Sequence, residues 1–238
     1  RISGKNRYVL ARKSVKLYMR DVIACETKSI TTGNLQTLYI DGDDAEYMKG
    51  KKVLIVDDVR CGFRLDLAGS DHYYGFEAVL ICFCKALANG YNMSAFCGKE
   101  FLRNAASSLS YTGSYWMSAV PFAACIACIN KLKAIDAPKL FDTMGRQLTD
   151  GFVAAGKEHG FDLKVTGAPA LFYLRIANDD SLLLHQDWVA ECVNRGMFIT
   201  SHHNHFINAS LTQEDINRSI EIAEDAFKAV KKLHPELG

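Results

Sequence analysis

The stretch from residue 53 to residue 64, VLIVDDVRCGFR, constrains the fold of this chain more than any other. Four aliphatic residues are followed by two adjacent aspartates and then by a turn that contains two arginines. A short continuous apolar run is typical of a strand that is buried in a parallel sheet. Ligands of open α/β sheets bind beyond the carboxyl ends of such strands. The stretch therefore predicts a buried parallel strand that delivers Asp57 and Asp58 to a binding site.

The rest of the chain is predicted to alternate strands and helices. Extended runs are predicted over 21–27, 35–40, 53–56, 79–84 and 93–97, the first two joined by a turn-rich tip, and later over 171–176 and 197–200. Helices are predicted over 120–132, 138–159, 182–194 and 212–233. Gly160 follows the second of them, and Thr212 with Asp215 has the pattern of a capping box. We expect an α/β fold, with a mainly parallel sheet and flanking helices, plus a smaller C-terminal α+β domain.

The composition excludes several classes of protein. The 238 residues are 49% hydrophobic and 23% charged, as in a soluble globular protein. The formal net charge of +1 provides no basic field for nucleic acid, no apolar run has the length of a membrane span, and no signal peptide opens the chain. The chain begins at Arg1 without a methionine, which is typical of a processed, trimmed or partly ordered product.

The cysteine and histidine patterns predict no metal site. Eight cysteines are spread through predicted strands and helices, which indicates reduced thiols in a cytoplasmic protein. Cys125 and Cys128 form a CxxC without a second pair or a histidine at zinc spacing, so buried apolar packing is the better interpretation. His202, His203 and His205 lie too close together on one short segment to converge on an ion. They favour the polar lining of a pocket or a solvated turn.

Two segments from Asp57 onward carry a family resemblance. Asp57–Arg64 reads DDVRCGFR where the family has Asp-Glu-Val-x-Thr-Gly-Phe-Arg, and Lys85–Gly90 reads KALANG, beginning 28 residues after Asp57. On these residues, about 180 positions through the C-terminal helix resemble the C-terminal half of the class III pyridoxal-phosphate aminotransferases. The resemblance is greatest to their glutamate-1-semialdehyde aminomutase branch. Asp58 replaces the usual glutamate of the family and is one methylene shorter.

The resemblance implies a role for each matching residue. Lys85 would condense with the aldehyde of pyridoxal 5′-phosphate, and partial burial after an apolar strand would favour its nucleophilic form. Asp57 would keep the pyridine nitrogen protonated. Ser114, with Thr112 as the second choice, would bind the cofactor phosphate of the other subunit, unless this segment is a simple turn. The protein is therefore expected to be a homodimer with a shared active site.

The predicted reaction is amino-group transfer, by a transaminase or an aminomutase, on a small amino acid or amino aldehyde. Many aminotransferases of this class hold a substrate carboxylate with an arginine on the strand before the last helix. Phe206 stands at that position in this chain. The aminomutase branch likewise lacks the arginine, so the substitution favours that branch.

Residues from about 4 to 59 carry a second resemblance. Arg12–Met19, Lys28–Asn34 and Val53–Val59 are similar to the middle of a purine-type type I phosphoribosyltransferase. In that family the paired acids, here Asp57 and Asp58, would bind the ribose hydroxyls of phosphoribosyl pyrophosphate with Mg²⁺. A loop rich in Thr and Ser then cradles the 5′-phosphate. Arg60–Arg64 lacks those hydroxyl groups and contains the bulky Phe63.

The two resemblances meet inside one predicted strand, which indicates a chimera of two families that is divided into three segments. Residues 1–56 would be a β-rich phosphoribosyltransferase-like segment, 57–150 part of an aminotransferase cofactor-binding domain, and 151–238 its small C-terminal domain. Residues 1–56 contain no match to the glycine-rich phosphate contacts or the stacking ring of a complete aminotransferase. Three hypotheses stay open: an aminotransferase or aminomutase, a magnesium-dependent phosphoribosyltransferase, and a folded chimera without catalytic activity.

Overall fold

A computed structural model of the chain describes residues 21, 23–28, 35–40, 55–104 and 117–235. The strands are β1 (Ile23–Lys28), β2 (Leu35–Ile40), β3 (Ile55–Asp58), β4 (Leu80–Phe83), β5 (Ala95–Gly98), β6 (Leu163–Ala168), β7 (Leu171–Ile176) and β8 (His205–Phe206). The helices are α1 (Ser70–Tyr74), α2 (Ala119–Ala134), α3 (Ala137–Glu158), α4 (Leu183–Asn194) and α5 (Gln213–Leu233). Short 3₁₀ turns follow β4 at Lys85–Leu87 and β5 at Glu100–Leu102.

The described strands form three sheets. β1 and β2 make an antiparallel hairpin, β3, β4 and β5 a mixed sheet, and β6, β7 and β8 an antiparallel sheet. Within the mixed sheet β3 is parallel to β4, whereas β5 runs antiparallel to β4. The prediction of a mainly parallel sheet therefore holds for one strand pair of the described residues. β5 returns antiparallel because the connection 84–94 is shorter than the crossover that a parallel return requires.

Most of the predicted elements within the described residues are confirmed to within a few positions. The capping box at the start of α5 is present, with Asp215 N donating to Thr212 Oγ1 at 3.2 Å and Thr212 N donating to Asp215 Oδ2 at 2.7 Å. The strand predicted over 197–200 is wrong: Met197 and Ile199 are buried in alternation, as in a strand, but the segment makes no ladder with the described strands. α3 continues unbroken through residue 150, so the domain boundary predicted there falls inside a helix.

The larger core lies between the β6–β8 sheet and helices α3, α4 and α5. Trp188 is its centre: its ring stacks on Phe227 with 4.9 Å between ring centroids, and Phe152 meets it edge-on at 6.2 Å. The indole Nε1 donates to the carbonyl oxygen of Ala223 at 3.3 Å, so the buried polar atom is satisfied. These aromatic contacts join the three helices to one another.

A second core lies between the mixed sheet and α2. Ile81 and Phe83 of β4 pack with Phe63 from the turn after β3, and with Leu87 and Cys125. Cys125 is buried, as the sequence predicted, and it joins α2 to this core. The described cysteines at positions 61, 82, 84, 97, 125, 128 and 192 are all free thiols. None of the helices among the described residues has the length and apolarity needed to cross a membrane.

His185 in α4 is a buried titratable group of the larger core. It is 1% exposed, and neither ring nitrogen has a hydrogen-bond partner among the described residues. Burial lowers the pKa of His185 below its ordinary value of 6.5, and the neighbouring Asp179 carboxylate opposes this shift only in part. The imidazole is therefore held neutral in the folded chain.

Gly145→Ala should destabilise the fold although alanine is the better helix former. A Cβ at Gly145 of α3 would overlap the carbonyl oxygen of Pro169 in the β6–β7 turn. Because the obstructing atoms belong to the backbone, we expect a cost in the upper part of the about 1–3 kcal/mol typical of overpacking, above the gain of about 1 kcal/mol in helix propensity. Urea unfolding measures the difference. The matched control is Gly151→Ala in the same helix, where the obstructing atoms belong to the side chain of Ile220 and not to the backbone. Equal stability of the two variants would contradict a special cost of the clash with Pro169.

His185→Phe should weaken the dependence of stability on pH. Below pH 6.5 the unfolded chain takes up a proton at His185 that the folded chain resists, so the free energy of unfolding falls as the pH falls. Removing the imidazole should flatten this slope as the pH falls through and below 6.5. The comparison is His72→Gln, since the hydrogen bond to Asp66 raises the pKa of His72 and its removal should change the slope in the opposite sense. An unchanged slope in His185→Phe would refute the assignment.

Candidate active site

β3 ends in two carboxylates that lie on opposite faces of the mixed sheet. Because successive side chains of a strand alternate, Asp57 is exposed whereas Asp58 is fully buried. The Asp57 Oδ1 atom accepts a hydrogen bond from the backbone N of Val59 at 3.1 Å. Of the two acids, Asp57 alone faces solvent, so the predicted ribose and magnesium site that uses both carboxylates together is not formed here.

Asp58 has a structural contact at each of its oxygens. Oδ1 accepts from the hydroxyl of Ser70 at 2.5 Å, and Oδ2 accepts from the backbone N of Ser70 at 2.7 Å. Gly69 adopts φ +126°, and a Cβ there would lie 3.2 Å from Asp58 Oδ2. These contacts tie the end of β3 to the start of α1 and close the turn between them.

The Gly-Phe pair of the same turn is required by packing. Gly62 N donates to the Asp58 carbonyl oxygen at 2.9 Å, and a Cβ at Gly62 would lie 2.6 Å from a ring carbon of Phe83. Phe63 then packs on Phe83 with 5.1 Å between ring centroids. These two residues therefore shape the turn that follows the acids.

Lys85 lies in the turn directly after β4. It adopts φ +45°, in the left-handed region that is costly for a side chain with a Cβ. Its carbonyl oxygen accepts from Asn89 N at 3.0 Å, and Cys128 Sγ of α2 donates to the carbonyl oxygen of Ala86 at 3.1 Å. The turn is thus anchored to α2.

The side chain of Lys85 is exposed, so the predicted partial burial is wrong. Leu87 and Ala88 of the same turn are buried beneath α2, at 4% and 2% exposure. α2 therefore covers the residues after Lys85 and leaves the lysine itself uncovered. Thr112 and Ser114, the other predicted cofactor-binding residues, lie outside the described residues.

Asp57 and Lys85 lie at the same edge of the mixed sheet. β3 and β4 are parallel with Asp57 opposite Cys82, so Lys85 follows three residues beyond the partner of Asp57. The carboxyl ends of adjacent parallel strands are the usual ligand-binding edge of an α/β sheet. An exposed carboxylate and an exposed amine are thereby placed on neighbouring strand ends.

Two arginines connect the turn after β3 to the C-terminal sheet. Arg60 Nη1 donates to Asn204 Oδ1 at 3.0 Å, across 144 positions of the chain. Arg64 Nη1 donates to the carbonyl oxygen of Ile207 at 3.2 Å, and its guanidinium carbon lies 4.6 Å from the centroid of the Phe206 ring. Phe206 occupies the position at which many class III aminotransferases have a carboxylate-binding arginine. In this chain the guanidinium of Arg64, from a distant segment, lies over its ring. No local sequence pattern indicates these contacts.

The three histidines before β8 each contact a local partner. His202 Nδ1 lies 3.0 Å from Ser201 Oγ, His203 Nδ1 lies 2.9 Å from the Asn204 carbonyl oxygen, and His205 Nε2 accepts from Thr200 N at 3.3 Å. That these histidines do not converge on an ion stays a prediction.

A different group among the described residues has ligand atoms close enough to hold a metal. It consists of Glu158, His159 and Glu224. The ammonium of Lys228 already lies 2.6 Å from Glu224 Oε1, and it competes with a cation for that oxygen. That the chain binds no metal stays a prediction.

A comparison with protein families matches residues 47–227 to the family described as aminotransferase class III. The match begins ten residues before Asp57, so all of β3 lies inside it, and the predicted seam at residue 57 is wrong. The apolar run before the acids is therefore part of the aminotransferase match. The comparisons bring no support for a phosphoribosyltransferase-like segment.

Curated relatives and solved structures agree with this match. The aminopentol aminotransferase of Sphingopyxis macrogoltabida is 35% identical over 178 residues, covering 75% of this chain and 42% of that protein. The 3-aminobutyryl-CoA aminotransferase of Cloacimonas acidaminovorans is 26% identical over 188 residues, covering 76% of this chain and 45% of that protein. The FumI protein of Sphingopyxis sp. MTA144, solved with PLP, superimposes with a TM-score of 0.73 at 34% identity, covering 77% of this chain and 46% of the other. The chain thus spans less than half the length of the curated relatives it matches.

Asp58→Asn should destabilise the chain far more than Asp57→Asn. The asparagine amide would place an NH2 group where one carboxylate oxygen of Asp58 accepts a hydrogen bond from Ser70. Losing this buried hydrogen bond should cost about 1–3 kcal/mol. Asp57 is exposed, and its substitution should change stability by no more than about 0.5 kcal/mol. Thermal or urea unfolding of the two variants measures this contrast. Equal losses at the two positions would contradict the division into a structural and a ligand-facing acid.

Proposed function

Since the chain belongs to the class III aminotransferases, we propose that it is the part of a pyridoxal-phosphate aminotransferase that carries the cofactor-binding lysine and aspartate. The observation that carries this proposal is the placement of Asp57 and Lys85 at the carboxyl ends of two adjacent parallel strands. Both side chains are exposed at that edge. The family match covers the two strands and the turns that follow them.

The two residues fit the chemistry of pyridoxal phosphate. The cofactor supplies an aldehyde that reacts with amines and a pyridine ring that accepts electrons once its nitrogen is protonated. The Asp57 carboxylate would hold the proton at that nitrogen, since an anion favours the protonated form of its partner. The Lys85 amine would bind the aldehyde, and it would then carry a proton to and from the α-carbon of the substrate. The φ of Lys85 and the contacts of its turn with α2 would orient the amine.

We propose amino-group transfer on a small amino acid or amino aldehyde, by a transaminase or an aminomutase. The curated relatives are named for amino compounds, an aminopentol and 3-aminobutyryl-CoA, which supports the transfer of an amino group here. Phe206 at the position considered for a carboxylate-binding arginine favours the aminomutase branch. The roles of Ser114 and Thr112 at the cofactor phosphate, and the homodimer that these roles require, belong to the same proposal.

Mixing the purified chain with pyridoxal phosphate should produce a visible absorption band, and borohydride should fix the cofactor onto Lys85. Lys85→Ala should abolish the band and the labelled peptide, because the amine at the ligand edge is lost. Lys133→Ala, at an exposed lysine on α2, is the matched control and should leave both unchanged. Absorbance and peptide mass spectrometry give the two readouts. Label spread evenly over surface lysines, with no loss in Lys85→Ala, would refute the proposal.

A further inference from the structure

We propose that Arg60 and Asn204 form a binding site for the carboxylate of a small substrate, in a cavity between the turn after β3 and the C-terminal sheet. The inference rests on the proposed function for the identity of the ligand, an amino acid or an oxo acid. The site combines a cavity, two hydrogen-bond donors and a cationic side chain.

The cavity lies between the turn after β3 and the C-terminal sheet. It has a volume of about 150 Å³ and is lined by Arg60, Tyr74, Leu171, Tyr173 and Asn204, among others. A water molecule takes up about 30 Å³ of liquid, so the cavity has room for a carboxylate and a few attached carbons. Apolar and aromatic walls with few polar groups are typical of small-molecule sites.

The side-chain NH2 group of Asn204 has no hydrogen-bond acceptor among the described residues. The residue is 4% exposed, and its Oδ1 accepts from Arg60. Its Nδ2 is buried and has no acceptor among the described residues. Buried amide donors are nearly always paired, and a ligand oxygen in the cavity would supply the missing acceptor.

Arg60 provides the charge for such a ligand. Its described contact is the hydrogen bond to the neutral Asn204, which leaves further guanidinium N–H groups for a second acceptor. Asp58, two positions earlier, is committed to Ser70. Burial, together with the Asp58 carboxylate, raises the pKa of the Cys61 thiol, so this other lining group stays neutral and does not repel an anion.

Position in the chain relates the cavity to the proposed chemistry. Arg60 comes three residues after Asp57, and Asn204 comes directly before β8, on the segment that leads to Phe206. The strand position at Phe206 has no cation of its own, and Arg64 is already engaged with the ring of Phe206 and the backbone of Ile207. Arg60, from the turn after β3, therefore places a positive charge next to Asn204. A carboxylate oxygen accepting from both Arg60 and Asn204 would make charge-assisted hydrogen bonds.

The test is titration of the chain with butyrate, followed by the thermal unfolding midpoint and by the side-chain amide resonances of Asn204. Butyramide, and chloride at equal ionic strength, serve as ligand controls. We expect a saturable rise of the midpoint with butyrate alone, as binding to the folded state requires. Arg60→Gln should weaken the affinity at least about tenfold. Asn204→Asp should weaken it as well, because a second carboxylate would repel the ligand.

Arg146→Gln is the matched control, since Arg146 is an exposed arginine paired with Asp142 on α3, and it should bind butyrate normally. If Asn204→Asp fails to fold, Arg60→Gln alone decides, because its side chain is only partly buried. Equal responses to butyrate and chloride, or an unchanged affinity in Arg60→Gln, would overturn the proposed site.

The outcome is independent of the cofactor experiment. Lys85→Ala should still bind butyrate, because the amine is not part of the cavity lining. Butyrate binding that depends on Arg60, in a chain whose Lys85 takes no label, would support the carboxylate site and refute the proposed function. Labelling of Lys85 with an affinity for butyrate that does not depend on Arg60 would do the reverse.

Discussion

The hydrogen bonds between the buried Asp58 carboxylate and Ser70 hold the part of the molecule on which the candidate site depends. A charge buried at this depth is tolerated only when its oxygens are satisfied, and Ser70 serves both of them from the first position of α1. The contact closes the turn that begins at the end of β3. That turn carries Arg60 and Arg64 to the C-terminal sheet, while its first acid, Asp57, stays at the ligand edge.

The division of labour between the two aspartates also explains how one short motif serves fold and chemistry together. Strand alternation sends one carboxylate into the protein and the other out of it. Gly62 and Phe63 are buried like Asp58, and both pack closely on Phe83. A comparable division occurs after β4, where Leu87 and Ala88 are buried and Lys85 is exposed. In both turns the structural residues immobilise the backbone next to the group that would meet a ligand.

Local sequence patterns predicted the secondary structure and the strand ends. They did not predict contacts between segments that lie far apart in the chain. The helices, the capping box of Thr212 and the strand ends at Asp57 and Lys85 follow from periodicity and from flanking residues. The contact of Arg60 with Asn204 spans 144 positions, and no pattern near either residue announces it. The seam expected at residue 57 was misplaced because an apolar strand ending in acids is shared by unrelated families, so the strand alone cannot tell them apart.

The left-handed backbone of Lys85 sets stability against chemistry at one position. A glycine or asparagine adopts φ +45° more readily than a lysine does, so the most stable residue for this turn is not the one that the amine chemistry needs. A search for thermostable variants that scores folding alone would be drawn to replace Lys85. The selected variants would be more heat-stable but would lack the lysine amine. Such a screen therefore needs a second readout, the attachment of the cofactor, to retain Lys85.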